Sequence, residues 1–366
     1  MAGVDSLDGC ARRRPNALRR SGAPLLVALV GALSACGGSG DDGTRVPAKD
    51  ATPASRDRAV GDAAPEQGSI AFRRWMGPDR TLGVIFTIAP DGSGERQVSK
   101  PGDSLSDDYP DFAADGRLIA FQRCGDERSC AVFTVRPDGA GERAVAGCDG
   151  RELPPDCARS AYPAISPDRR EIAYVRTSGR VRGDGIDPQA IFTMRTDGSR
   201  ARRVTLPRGL GAADGQPQWS PDGRQIVFVR ERRTAELAQE RAIFVVNADG
   251  SDASRVTPWE MQAGDGPNWS PDGSRILFRN PESDDFTNSN LYTVRPDGSK
   301  LTQITDFPPA TRLYSSSFSP DGRSITFGMT GVDGEPDVYT MRLGGTPERV
   351  TRTPLADSAP DWGGSG

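Results

Sequence analysis

The feature that most constrains this chain is a repeat of about 50 residues running from position 68 to 363, a period in the range of propellers and solenoids. Its first mark is a Pro-x-aromatic or Pro-x-apolar segment leading into a turn. The copies are Pro110-Asp111-Phe112 before Ala113-Ala114-Asp115-Gly116, Pro163-Ala164-Ile165 before Ser166-Pro167-Asp168-Arg169, and Pro217-Gln218-Trp219 before Ser220-Pro221-Asp222-Gly223. Pro267-Asn268-Trp269 before Ser270-Pro271-Asp272-Gly273 and Ser316-Ser317-Phe318 before Ser319-Pro320-Asp321-Gly322 continue the series, and Pro360-Asp361-Trp362 ends it.

The second mark is a strand in which Ile and an aromatic share one face: Ile70 and Phe72, Ile119 and Phe121, Ile172 and Tyr174, Ile226 and Phe228, Ile276 and Phe278, Ile325 and Phe327. The third is a strand ending in a tight turn, as from Val84 to Gly92 or Ile243 to Gly250, followed by a short strand such as Ser254 to Thr257. Each repeat therefore reads as four strands, A to D, with A–B and C–D joined by tight turns, which is the make-up of a propeller blade. In Ser-Pro-Asp-Gly, Pro fixes φ, Asp bonds nearby amides and Gly accepts a positive φ, so the motif is a folding signal. The first strand B, at Ile70, has no Pro-x-Trp before it, and the last Pro-x-Trp has no strand B after it. The expectation is an all-β, six-bladed β-propeller of four-stranded blades, its first blade closed by the C-terminal strand, Ala359 to Trp362 pairing with residues 69 to 73.

These marks resemble the WD40-like repeat of the TolB propeller family over about residues 68 to 363. The likeness is strongest in blades four and five. It departs where Ala113-Ala114 replace Ser-Pro, where Arg169 replaces Gly, and where Leu343-Gly344-Gly345 replace an Asp-Gly turn. The α/β domain that precedes the propeller in TolB has no counterpart in residues 1 to 67, so the resemblance implies the fold and not a place in the Tol–Pal system.

Composition agrees with short strands and tight turns: there are 43 Gly and 30 Pro among 366 residues, with 35% hydrophobic residues. The chain has no His, which excludes Ser-His-Asp and Cys-His nucleophilic sites and His-ligated zinc or iron. Net charge is -4, and the first 35 residues hold five Arg against Asp5 and Asp8, leaving -7 on the remainder. An acidic body gives no electrostatic reason to expect nucleic acid as a partner.

The N-terminus reads as an address. Arg12, Arg13, Arg14, Arg19 and Arg20 precede an apolar run from Ala23 to Leu33 and then Ser34-Ala35-Cys36, the three parts of a signal peptide. The run is about 11 residues, short of the roughly 20 that span a bilayer. Leu33-Ser34-Ala35-Cys36 resembles a bacterial lipobox, which implies lipidation at Cys36 and a membrane-anchored, extracytoplasmic lipoprotein of the periplasm or outer cell surface. The expected organisation is a lipoprotein signal peptide over 1–35, a disordered tether over 36–67 and the propeller over 68–366. Rich in Gly, Ala, Asp, Ser and Pro, the tether lacks the apolar surface to offset ordering, and as a flexible coil it reaches on the order of 30 Å.

If the tight turns lie on one face, the variable B–C and D–A loops cluster on the other, with the longest insertions at 179–188, 231–241 and 147–158. Cys124 and Cys130 flank one of these loops and Cys148 and Cys157 the next. Local disulfides are the simplest of three pairings, and four thiolates on zinc is the alternative. Asp107, Asp214, Asp265 and Asp357 precede strand A, either as a channel-mouth ring for a cation or basic partner or as caps on their own loops. Arg200 to Arg203 and Arg230 to Arg233 read as a solvated surface before a polyanion site. Asn247-Ala-Asp249-Gly-Ser-Asp252 lacks the distal Glu of an EF-hand, and no cofactor or metal is expected. The functional expectation is a monomeric, non-enzymatic module that binds an envelope protein through the loop face. A propeller lyase or hydrolase without His chemistry, and a sugar or peptide sensor, are the alternatives.

Overall fold

The computed structural model describes residues 68–364 apart from 78, 103, 126–128, 147–158, 178–180, 183–184, 187–188, 210, 237, 265, 282–288 and 331–333. The signal-peptide and tether segments, Cys36, Cys148, Cys157 and Asp265 lie outside the described residues.

Six four-stranded antiparallel sheets form the blades of a propeller, and a small two-stranded ribbon, Val181–Arg182 with Gly185–Ile186, is the one further sheet among the described residues. Strand A of each blade is innermost: Asp357–Gly363, Ser106–Phe112, Ser160–Ile165, Ala213–Trp219, Asn268–Trp269 and Leu313–Phe318 for blades one to six. Closure by both ends is present: Asp357–Gly363 pairs with Ser69–Met76, with Ile70 opposite Trp362 and Arg74 opposite Asp357, and residues Leu82–Ile88 and Arg96–Gln97 complete the blade.

The strand B marks are the core. All six Ile, from Ile70 to Ile325, are fully buried, and so are Phe72, Phe121, Phe228, Phe278 and Phe327, with Tyr174 nearly so. Burial of one such side chain is worth about 1.5–3 kcal/mol. The aromatics stack on strand C, as Phe121 on Phe133 at 5.7 Å and Phe228 on Phe244 at 5.8 Å between centroids. The Trp of the first mark packs across the blade boundary: Trp219 sits with Ala164, Val175 and Ile191, and its Nε1–H donates to Ala164 O at 3.1 Å.

The Ser-Pro-Asp-Gly turns close as their chemistry requires. In Ser220-Pro221-Asp222-Gly223 the Gly223 N–H reaches Ser220 O at 2.9 Å, while Asp222 accepts from Ser220 Oγ at 2.6 Å and from Arg224 N–H at 3.0 Å. Where Arg169 replaces Gly, it takes the same left-handed backbone at φ 57°. At the blade rims a Ser or Thr after strand D accepts the N–H of a strand C residue, as Thr257 from Ile243 and Thr205 from Ile191, each at 2.9 Å.

One expectation is corrected. Residues 231–241 are not a loop insertion: they lengthen strands B and C of blade four to Gln225–Arg233 and Gln239–Asn247, because Arg232 and Glu240 (2.7 Å) and Arg241 and Glu231 (2.8 Å) pair across the hairpin.

Candidate channel site

The inner strands leave a channel with three parts. A funnel of about 520 Å³ opens among the loops and is lined by Arg73, Tyr109, Tyr162, Gln216, Arg241 and Tyr314, among others. It narrows to a neck of about 60 Å³ and opens again, at the turn face, into a vestibule of about 240 Å³.

The neck exists because strand A bulges there. The residue before the motif Pro turns left-handed in four blades, at Tyr109 (φ 49°), Tyr162 (51°), Gln216 (52°) and Ala359 (53°), and Gly266 does so at 56°. Strand A slips in register at these points, between Asp108 and Asp111 and between Gly215 and Gln218. One extra residue bends the strand and re-aims the side chains that follow. A non-glycine residue in this conformation is strained, so the neck is held by the sheets around it.

Above the neck, charges are paired. Asp107, Asp214 and Asp357 are fully buried, and each lies opposite an Arg of strand B in register: Arg123, Arg230 and Arg74. Arg123 donates to both Asp107 oxygens at 2.6 and 2.8 Å and Arg230 does the same to Asp214, while Arg74 reaches Asp357 at 2.7 and 2.9 Å. Each guanidinium also lies over a strand C ring, 4.4 Å from Phe133, 4.8 Å from Phe244 and 4.6 Å from Phe86. Glu142 and Glu95 add second carboxylates to Arg123 and Arg74 at 2.8 and 2.6 Å. These three aspartates thus form neither an open acidic ring nor caps on loop amides: cross-strand pairing buries them as ion pairs inside the blades. The sequence signal was the fifth residue of the second mark, the Arg of Ile-x-Phe-x-Arg in blades one, two and four.

Three arginines of the funnel wall are also engaged. Arg73 pairs with Asp108 and reaches Ser358 Oγ at 2.5 Å, Arg241 holds Glu231, and buried Arg279 donates to Leu313 O. Burial, with repulsion from Arg241, lowers the Arg279 guanidinium to about 10. Within the run Arg230 to Arg233, Arg230 and Arg232 are engaged in pairs of this kind, Arg232 lying 4.1 Å over Trp259 as well. Cys124 and Cys130 form a disulfide at the funnel end of blade two, joining the last residue of strand B to the first of strand C.

Below the Pro, the middle residue of Pro-x-aromatic reaches the neighbouring blade. Asp361 accepts from Phe112 N–H at 2.7 Å, Asp111 from Ile165 N–H at 2.7 Å, Asn268 from Phe318 N–H at 3.2 Å and Ser317 from Trp362 N–H at 3.1 Å. Ala164 has no polar side-chain atom to offer, and Gln218 turns instead to Asp111, its Nε2 donating to Oδ1 at 2.6 Å. These contacts latch one blade to the next around the axis. Desolvation and the nearby Asp361 charge push the Asp111 carboxyl well above the usual range, and desolvation raises Asp361.

No protein-family model matches the chain. Over 191 residues it is 31% identical to a protein TolB homolog of Chlorobium luteolum, an alignment covering 52% of this chain and 40% of that relative, so the chain spans less than half of the relative's length. TolB from Acinetobacter baumannii superposes with a TM-score of 0.60 at 16% identity, over 81% of this chain and 67% of that one. An oligogalacturonate lyase from Vibrio parahaemolyticus does so with a TM-score of 0.50 at 13% identity, over 78% and 79%. The architecture is thus that of a TolB-like propeller, and an oligogalacturonate lyase superposes on it as well. Fold alone does not divide binding from catalysis here.

Proposed function

We propose that this TolB-like six-bladed propeller is a protein-binding module of the cell envelope, exported and held at a membrane by lipid on Cys36, and that its partner docks at the loop-end funnel. The funnel carries the reading: a 520 Å³ concavity walled by Arg and Tyr, the residue types that dominate binding energy at interfaces, fixed in place by hydrogen bonds and ion pairs. Preorganised side chains lose little entropy on docking.

The test uses the anchored chain in intact cells, with a photo-crosslinking residue at Gln216 in the funnel or at Pro221 on the turn face. The expected result is a protein adduct from position 216, lost in Tyr314→Ala, and none from 221. Adducts from 221 alone would overturn the assignment of the face. Retention of Cys36→Ser in the membrane fraction would overturn the anchor.

A further inference from the structure

We propose that the turn end of the channel is a binding site for a primary alkylammonium group, its head between Asp111 and Asp361 and its stem along the wall of tryptophans and prolines below. This site lies below the funnel and meets it at Tyr109, Tyr162 and Gln216.

Asp111 and Asp361 come from adjacent blades and both line the neck and the vestibule, and neither lining contains a Lys or an Arg. Their hydrogen-bond donors are neutral: Gln218 Nε2 and the Ile165 amide for Asp111, and the Phe112 and Trp362 amides with the Ser317 hydroxyl for Asp361. A carboxylate can accept about four hydrogen bonds, so Asp111, with two donors, and Asp361, with three, each keep capacity for a further one. Buried like charges without a counter-ion are costly.

Two further buried polar atoms, on residues of these walls, lack partners. Ser316, 4% exposed, lines the neck with its Oγ unbonded, and Trp269, 6% exposed, lines the vestibule with its Nε1–H unbonded, whereas the equivalent Trp219 Nε1–H is satisfied. A primary ammonium has three N–H donors, matching two carboxylates and one hydroxyl; a quaternary ammonium has none, and a guanidinium is a broad planar fork. The 60 Å³ neck suits a compact head, and the 240 Å³ vestibule, walled by Trp219, Trp269, Trp362, Pro221, Pro271 and Pro320, suits an alkyl stem. Among the described residues no three His, Cys, Asp or Glu converge, so a metal ion finds too few anionic ligands.

Desolvation raises both carboxyls, and the Asp361 charge raises Asp111 further, so the empty site favours a bound proton. An ammonium takes over the role of that proton, so binding releases a proton and tightens as pH rises while the amine stays charged. The other titratable groups in the neck are the hydroxyls of Tyr109 and Tyr162, at its upper end. The amine belongs either to a free diamine or to a lysine side chain of a polypeptide. Only the second brings a backbone carbonyl, the kind of acceptor that the Trp269 N–H lacks.

The test is isothermal titration calorimetry of the full chain with Nα-acetyl-lysine amide and with 1,5-diaminopentane, beside Nα-acetyl-arginine amide, tetramethylammonium and calcium. The expectation is binding of the two primary amines, tightening as pH rises while the amine stays charged, and weakened about tenfold or more by Asp111→Asn and by Asp361→Asn. Melting curves of the variants establish that they are folded, and Ser316→Ala offers a milder loss in an intact site. A lysine amide preference abolished by Trp269→Phe assigns a polypeptide; a diamine preference assigns a free amine. Binding of neither primary amine, equal binding by the folded Asn variants, or tighter binding of calcium, arginine or tetramethylammonium overturns the proposal.

Discussion

Asp107 and Asp111 stand four residues apart on one strand, both nearly inaccessible at 0% and 4% exposure, and they live under opposite electrostatic conditions. Asp107 faces a strand B residue of its own blade and receives two charged hydrogen bonds from Arg123; Asp111 faces the neighbouring blade and receives only neutral ones. Asp357 and Asp361 repeat the contrast in blade one. The bulge between them is what separates the two environments, since it turns the lower half of the strand toward the next blade. The funnel end is therefore built from charges settled within blades, and the turn end from latches between them.

The sharpest way to break this comparison is to remove the charge on one side only. Arg123→Met strands Asp107 and Glu142 at the upper end, and the expected cost is about 3–5 kcal/mol in chemical denaturation, with most of it recovered in the Asp107→Leu/Arg123→Met pair. A loss below about 1 kcal/mol would mean that the upper pairs do not differ energetically from the lower contacts. Next in size is the disulfide beside that pair. Cys124→Ala/Cys130→Ala opens a loop of about seven residues, for which chain entropy gives about 2 kcal/mol, read as a lower melting temperature insensitive to reductant.

At the lower end the sign reverses. Asp111→Asn keeps an oxygen for Ile165 N–H and removes a carboxyl whose ionisation is disfavoured, so the neutral-pH unfolding midpoint should rise. Because the folded-state pKa lies above the unfolded value near 4, the folded chain holds a proton that the unfolded chain has released. Wild-type stability therefore falls as pH climbs through that window, and its gap to Asp111→Asn widens. The turn aspartates behave oppositely. Ser270 and the Ser274 amide hold Asp272 down to about 2, and its contribution, present above about pH 4, is lost as pH drops toward 2. A pH series on both proteins separates the two classes.

The blades, their number and their closure were legible because each rests on local signals: alternation, turn chemistry and an unmatched half-repeat at each end. The upper ion pairs were half legible. Asp107, Asp214 and Asp357 stood out by position, but their partners required reading the Arg of Ile-x-Phe-x-Arg across a strand pair whose register the bulge shifts. The roles of Asp111 and Asp361 were not legible. They depend on which amide the next blade presents, and that is fixed by packing between repeats rather than by any residue inside one.

The smallest effect tests the turn face itself. Arg169 occupies the Gly position of its turn at φ 57°, which costs a side-chain-bearing residue roughly 1 kcal/mol, and its guanidinium lies 3.0 Å from Asp115 of the preceding blade. Both partners are well exposed, so water and salt screen the pair and its contribution is at most about 1 kcal/mol. Arg169→Gly relieves the backbone and removes the pair, and the net change should lie within about 0.5 kcal/mol of zero at low salt. It should turn stabilising at high salt, where the pair is screened and the backbone term is not. A loss that persists at high salt would show that a contact between blades at the turn face outweighs the strain of the turn, and would place part of the ring's cohesion at its surface rather than in the neck.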